Sequence, residues 1–442
     1  MPRTSDLSSS LGKVVHTIGS QTVQVLLGTV TGVLIARVLQ PEGRGTYSVI
    51  ATTTLTAIIL GHASIDKSQI YLWTNRARHR ALTANGLMLG LTLGTITTLV
   101  ALVLMSVGAM PTTSPLLGVA MIAVPFGVVA TNLKGIAWLE SRTDIVNRAT
   151  IAAALTQCLP LLVLSAVGGI TVTTVIVFWT ISTVTPFVLL IRALRPHPRL
   201  VDVPLACRQL ALGGRYHVGL VAFYLLMTVD TLLLNALDSA AGVGIYTVAV
   251  TVLSLAGIPA EATTRVVLPG QAGSDARHAE EITLRTLRLN LILSSVFLGI
   301  LAAVSPMLIP MVYGQSFAGS VPPLLALAPG TVALSLIRPV EQYLVRLGRP
   351  VAMTLIAVGT LALNVLVNVA LIPRWGPLGA ALASTATYTL MACVEVSWFA
   401  RSACIPLRGL LPRLDDVRPV LTLLASCRVI ARRRRRPGQR VG

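Results

Sequence analysis

The sequence predicts an all-α polytopic membrane protein of about twelve transmembrane helices in two homologous halves. Three observations carry that expectation. Apolar runs of about 20 residues recur along all 442 positions, the length a helix needs to cross a hydrocarbon core. Only 12% of the residues are charged, 54% are hydrophobic and mean hydropathy is +0.78, whereas soluble domains carry about 25% charge. A turn between two apolar runs also recurs in the second half of the chain. Ala36-Arg37-Val38-Leu39-Gln40-Pro41-Glu42-Gly43-Arg44-Gly45-Thr46-Tyr47-Ser48-Val49 is echoed by Leu237-Asp238-Ser239-Ala240-Ala241-Gly242-Val243-Gly244-Ile245-Tyr246-Thr247-Val248-Ala249. Gly45, Tyr47 and Val49 align with Gly244, Tyr246 and Val248, a sign of internal duplication. Lipid penalises every unpaired backbone group, so the runs are read as helices. The alternating ten-residue strands of an outer-membrane barrel are absent from the pattern.

The elements follow in order. Span one covers Val14–Val38, Pro41–Gly45 makes a tight reversal, and span two covers Thr46–Ile65. Lys67, Arg76, Arg78, His79 and Arg80 place the next link in the cytoplasm, because basic loops stay inside. Spans three (Leu82–Val107) and four (Leu116–Leu139) flank an uncharged link, Gly108–Ser114, read as external. Arg142 and Arg148 return the chain to the inside, and spans five (Ala149–Val167) and six (Val172–Leu194) flank the Gly168-Gly169 turn. A basic stretch with Pro196, Pro198 and Pro204 then reads as the connector between halves. Spans seven (Leu210–Leu237) and eight (Ile245–Leu268) follow. Arg277, His278, Arg285 and Arg288 mark an inner loop before span nine, Leu289–Pro310. Spans ten (Val321–Tyr343), eleven (Val351–Ile372) and twelve (Leu378–Ala400) complete the set. The expected organisation is a six-helix half over 1–194, a basic cytoplasmic linker over 195–209, a second six-helix half over 210–400 and a basic cytoplasmic tail over 401–442. Both termini are expected in the cytoplasm.

The net charge of +19 resembles a nucleic-acid signature, but its placement between spans and at the C-terminus is that of cytoplasmic loops, and no nucleic-acid partner is expected. Arg432–Arg436, after a segment too short to span, suits anionic lipid head groups, or serves only to fix topology. Cys158, Cys207, Cys393, Cys404 and Cys427 form no Cys-x-x-Cys pair, so neither a disulfide framework nor a metal site is read, and no cofactor is expected. The first apolar run is too long for a signal-peptide core and is expected to remain as a helix. No phosphate-binding Walker loop is present.

Four stretches together resemble the Wzx-type polysaccharide or O-antigen repeat-unit flippases of the multidrug/oligosaccharidyl-lipid/polysaccharide exporter superfamily. Ala36–Val49 is similar to that family's opening Leu-x-Pro-x-x-x-Gly-x-Tyr turn, and Asp230 through Ala249 to its second-half counterpart. Tyr313-Gly314-Gln315-Ser316-Phe317-Ala318 resembles the link after span nine. Asn364, Asn368, Leu371-Ile372-Pro373-Arg374-Trp375-Gly376 and Gly379-Ala380-Ala381 resemble a marked stretch near the family's C-terminus. The resemblance implies two six-helix bundles around a central cavity, alternating access and no covalent chemistry. It implies polyprenyl-diphosphate-linked oligosaccharides as substrate, moved across a bacterial cytoplasmic membrane, with a polysaccharide polymerase or glycosyltransferases as further candidate partners. Family members often have fourteen spans; twelve here weighs against a dedicated lipid II flippase.

Ionisable residues inside spans are the default site candidates, since each costs about 2.5–3.5 kcal/mol or more at a helix centre. Asp230 lies within span seven without a local partner, which suits cation or proton coupling, or pairing with a base. Glu261 and Arg265 on span eight, and Arg338 and Glu341 on span ten, are helix-face neighbours. They either neutralise each other or offer arginine forks to a diphosphate. Arg37 at the end of span one and Lys134 inside span four, one of three lysines, complete the cationic set. Thus Arg265, Arg338, Lys134 and Arg37 are candidate diphosphate ligands, and Asp230, Glu261 and Glu341 candidate coupling or pairing acids. Two other functions fit parts of the pattern. A drug/cation antiporter would rest on an acid such as Asp230. A membrane glycosyltransferase or polysaccharide polymerase would need catalytic acids or arginines on a sizeable outer loop, which the short, nearly uncharged outer links do not offer.

Overall fold

The computed structural model describes residues 4–112, 114–273, 276–346 and 350–412, and their side chains except at 4–18, 256, 258–276, 345–346, 350 and 407. Among the described residues there are thirteen α-helices, short 3₁₀ segments and no strand. The helices are α1 (Thr4–His62), α2 (Ile65–Leu72), α3 (His79–Ser106), α4 (Pro115–Met121), α5 (Ala123–Leu139), α6 (Thr143–Ala166) and α7 (Val172–Leu194). They continue with α8 (Val203–Leu226), α9 (Val229–Leu237), α10 (Ala240–Gly273), α11 (Ala276–Tyr313), α12 (Val321–Arg346) and α13 (Pro350–Ser402). Arg432–Arg436 lies outside the described residues.

Eight stretches of helix are long and apolar enough to cross a membrane, or nine when the bent pair α8 and α9 is taken as one span. Two of them, Gly19–Leu72 and Val351–Ser402, run to 54 and 52 residues. At 1.5 Å per residue each would be about 80 Å long if straight, more than twice a bilayer core. Each is broken near its middle. In α1 the break falls on Gln40 (φ 57°, ψ 179°), one residue before Pro41, and in α13 on Gly376 (φ 50°, ψ −128°). These are the positions where the sequence places turns. Proline cannot continue the preceding hydrogen-bond ladder and crowds the residue before it. Hydroxyl side chains within the spans bond back to their own helix, as Thr53 to Val49 O and Thr54 to Ile50 O, both at 2.8 Å. That satisfies a donor that apolar surroundings would otherwise leave unpaired.

The chain divides into two compact units. The first comprises Met1–Ala249, Pro306–Pro323 and Val351–Ser384. Its packing depends on small residues. Gly86, Gly90 and Gly94 fall four apart along one face of α3. A Cβ at Gly90 would sit 2.8 Å from the Val129 Cα, and one at Gly94 would sit 2.5 Å from the Pro125 Cα. Lipid offers no hydrophobic drive between helices, so such close backbone approach is a main source of their association. Gly90→Ala is therefore expected to cost about 1–3 kcal/mol by overpacking. Gly28, with nothing within 4 Å of its Cβ position, is the control site, and thermal unfolding in detergent compares the two. Leu117, Met121, Val124 and Val128 bury against Ile50, Ile58 and Ile176, while Leu133, Ile136 and Val146 gather around Leu190.

The second unit comprises Val250–Ser305, Leu324–Pro350 and Thr385–Gly442. Tyr343 packs edge-on to Phe399 at 5.0 Å and donates to Glu280 Oε1 at 3.0 Å. Asn290 donates to Ser335 O at 3.1 Å. Arg288, expected as a loop charge, is 5% exposed and donates to the Gly409 carbonyl. The helix α11 starts thirteen residues before the expected span nine, so Arg288 lies inside a helix rather than in a loop.

Candidate functional site

The site is built around a helix break that the sequence did not announce. The expected span seven is split into α8 and α9, bent by 50°. Neither proline nor glycine stands at the break, which falls on Met227 and Thr228. The break puts Asp230 in the first turn of α9, where an acid is favoured by the helix dipole. Asp230 is 1% exposed. Three donors converge on its carboxylate. The Thr231 N–H donates to Oδ1 at 2.9 Å, Ser384 Oγ donates to Oδ2 at 3.0 Å, and the Tyr246 hydroxyl donates to Oδ2. These groups come from α9, α13 and α10, all within the first unit. Tyr246 is the tyrosine of the second Gly-x-Tyr turn, so the duplicated motif supplies a ligand to the buried acid. In the first copy Tyr47 is approached by Gln157 Nε2 at 3.4 Å and by the Trp179 ring edge, with centroids 6.5 Å apart.

The two Gly-x-Tyr turns also meet. A Cβ on Gly45 would overlap the Ala240 carbonyl oxygen, and one on Gly244 would overlap the Pro41 carbonyl oxygen. Only glycine permits this crossing of two backbones. Ser48 and Thr247 hydroxyls bond across it at 3.2 Å, and Ser320 donates to Ile245 O at 2.8 Å.

The candidate residues distribute as follows. Arg37 is exposed and donates from Nε to Val312 O at 2.7 Å and from its terminal nitrogen to Met311 O at 2.5 Å, capping the C-terminal end of α11. Lys134, half-buried on α5, meets no acid and no hydrogen-bond acceptor among the described residues. Arg37, Lys134 and Asp230 belong to the first unit; Asp230 contacts neither cation, and its partners are hydroxyls and a backbone amide. Arg338 and Glu341 are on α12 in the second unit, Arg338 at the surface and Glu341 half-buried. The side chains of Glu261 and Arg265, on α10, lie outside the described residues.

Three further residues, none of them among the candidate diphosphate ligands or coupling acids, hold a buried polar atom without a hydrogen-bond partner. Arg44 is 7% exposed, its Nε is buried without a partner, and its guanidinium carbon lies 5.6 Å from the Tyr47 ring centroid. Glu395, buried on α13, has an unpartnered Oε2 and lies within electrostatic reach of Glu341. Asn368, buried on α13, donates to the Asn364 carbonyl and side-chain oxygens at 2.9 Å and keeps its own Oδ1 unpartnered. Glu395 was legible as an acid within the last apolar run; the orphan atoms of Arg44 and Asn368 are visible only in three dimensions.

The lipid II flippase MurJ in an inward closed conformation superposes with a TM-score of 0.72 at 15% identity, covering 90% of this chain and 89% of that one. A transporter of the MOP superfamily from Pyrococcus furiosus gives 0.63 at 14%, covering 88% and 94%. An inward-facing multidrug resistance MATE transporter of the same superfamily gives 0.61 at 14%, covering 88% and 98%. No curated protein sequence matches the chain. The helices, their breaks and these superpositions define a multi-pass membrane protein with the fold of that superfamily. Residues 10–270 match the family described as polysaccharide biosynthesis protein, and the chain belongs to that family.

Proposed function

We propose that the protein is a flippase of lipid-linked oligosaccharides, moving polyprenyl-diphosphate-linked sugar units across the bacterial cytoplasmic membrane by alternating access and without covalent chemistry. The observation that carries this reading is the crossing of the two Gly-x-Tyr turns within a polysaccharide biosynthesis family member. Two turns that meet through a pair of glycines can part and re-form at that point by breaking few side-chain contacts, the Ser48–Thr247 hydrogen bond among them. Splitting α1 and α13 at their breaks, joining α8 to α9 and adding α10 accommodates twelve crossings, in line with two halves of six and with both termini in the cytoplasm. A polysaccharide polymerase or glycosyltransferases would be its functional partners.

In this reading Asp230 is the coupling residue and Arg338, Arg265, Lys134 and Arg37 are candidates for the diphosphate. Lys134 is supported by its lack of any acid nearby, which leaves its charge available to a ligand. Glu261 and Glu341 are the pairing acids of their helices. The test is transbilayer movement of a labelled polyprenyl-diphosphate oligosaccharide in vesicles holding the purified protein. Lys134→Ala and Arg338→Ala are expected to slow movement at least about tenfold, the loss of one charged contact worth roughly 1.4 kcal/mol. Undiminished movement in both variants, and in Arg265→Ala, would remove the cationic-site reading. A drug/cation antiporter is the second reading. It is favoured by the setting of Asp230, whose carboxylate meets only neutral donors. Cation-driven efflux of organic cations, with no lipid movement, would select it.

A further inference from the structure

Buried polar atoms without partners gather at one place in the first unit, away from Asp230. Helix α1 stops at His62, Ala63 and Ser64 both take left-handed backbone angles (φ 49° and 52°), and α2 restarts at Ile65. Around this break six polar atoms are buried without a hydrogen-bond partner: His62 Nδ1 and Nε2, Asp66 Oδ1, Gln69 Oε1 and Nε2, and Asn132 Oδ1. They are six of the eleven such atoms among the described side chains, so the deficit is concentrated rather than scattered. Gln69 and Asn132 are fully buried and His62 is 3% exposed. Buried polar groups are ordinarily paired, and a cluster of exceptions marks an occupant.

The geometry of the cluster indicates what the occupant is. Gln69 lies between two glycines. A Cβ on Gly135 of α5 would stand 3.0 Å from Gln69 Oε1 and 3.3 Å from Asp66 Cβ, and one on Gly86 of α3 would stand 3.2 Å from Gln69 Nε2. Asn132 reaches the same place by donating Nδ2 to Gly86 O at 3.1 Å, which leaves its Oδ1 free. His62 Nε2 stands 3.4 Å from Asp66 Oδ1 without hydrogen-bond alignment. The other carboxylate oxygen of Asp66 faces the half-exposed Lys67 at 3.6 Å. One carboxylate oxygen and two amide oxygens therefore remain. Oxygen donors of this kind suit a hard cation, and a single carboxylate suits a single charge. Water accompanying the ion would meet the two remaining donors, Gln69 Nε2 and the His62 N–H.

We propose that Asp66 Oδ1, Gln69 Oε1 and Asn132 Oδ1 form a site for a monovalent cation, sodium being the fitting size, beneath the α1–α2 break. The site adjoins the seat of α8. Gly213 of α8 packs on the Ala63 and Ser64 carbonyl groups, and His217 lies 3.2 Å from both Leu60 O and Ser64 Oγ. Cation occupancy thus bears on a helix that must move if the protein cycles. The binding claim itself is independent of the flippase reading, since it needs no transported substrate.

The test is thermal unfolding of the full chain in detergent, in sodium, potassium or choline chloride at equal ionic strength. Sodium is expected to raise Tm by about 4–8 °C over choline once its concentration is far above Kd. Asn132→Leu and Gly135→Ala are expected to abolish the shift, and Asp230→Asn to keep it. Gly135→Ala retains every ligand and only fills the space, so it decides the matter if Asn132→Leu does not fold. Equal Tm in all three salts overturns the proposal. So does a sodium shift that survives Gly135→Ala, or one that disappears only with Asp230→Asn, which would assign the cation to the Asp230 cluster instead.

Discussion

Gly45→Val and Gly244→Val are each expected to abolish transbilayer movement and to lower thermal stability more than any other single change to a glycine of the first unit. A Cβ at either position would overlap a carbonyl oxygen of the opposing turn. Overpacking a core usually costs about 1–3 kcal/mol, because side chains yield. Here the obstacle is backbone, held by Pro41 on one side and by the start of α10 on the other, so the cost should sit at or above the top of that range. Gly28→Val is the control, with open space around its Cβ position. Thermal unfolding in detergent and the vesicle assay would be read on the same preparations. Wild-type stability and movement in both crossing variants would show that the turns do not need to touch.

Asp230→Leu should be the most damaging change at the buried acid. It strands the Tyr246 hydroxyl, the Ser384 hydroxyl and the Thr231 N–H, with Tyr246 and Ser384 buried. Each orphaned group costs about 1–3 kcal/mol. Asp230→Asn keeps one acceptor oxygen, and the two hydroxyls can rotate to accept from its amide, so it should fold while losing coupling. A double-mutant cycle of Asp230→Asn with Ser384→Ala should show a coupling of about 0.5–3 kcal/mol in unfolding free energy. Additive effects would mean that the contact contributes nothing. If Asp230→Asn moves lipid-linked sugar at the wild-type rate under every ion gradient, the coupling role is lost.

The duplicated turn was the most informative stretch of sequence. Gly45-x-Tyr47 and Gly244-x-Tyr246 were legible as two copies of one pattern; that the two copies lie against each other, and that Tyr246 serves Asp230, required the structure. The breaks at Gln40 and Gly376 were legible because proline, or glycine flanked by prolines, acts on its own neighbours. The break before Asp230 was not, since Met227 and Thr228 carry no such restriction and the bend comes from what α8 and α9 pack on. The spacing of four along the glycine row of α3 has no meaning until Val129 and Pro125 are seen opposite it. Arg288 was misplaced for a related reason: a charge pattern assigns a side of the membrane, not whether the residue stands in a loop or in an extended helix.

By itself the sequence determined that the chain is helical and crosses a membrane many times, and it carried a Gly-x-Tyr turn in two copies. Apolar surroundings force each backbone to satisfy its own hydrogen bonds within a single helix, and that requirement is written in runs of about twenty neighbouring residues. The tertiary structure alone decided which polar atoms are paired. Ser384 meets Asp230 across 154 positions, while the Gln69 side-chain amide and Asn132 Oδ1 meet no hydrogen-bond partner although both residues are fully buried. Such pairings depend on which faces of distant helices come together, and no local pattern of residues encodes that.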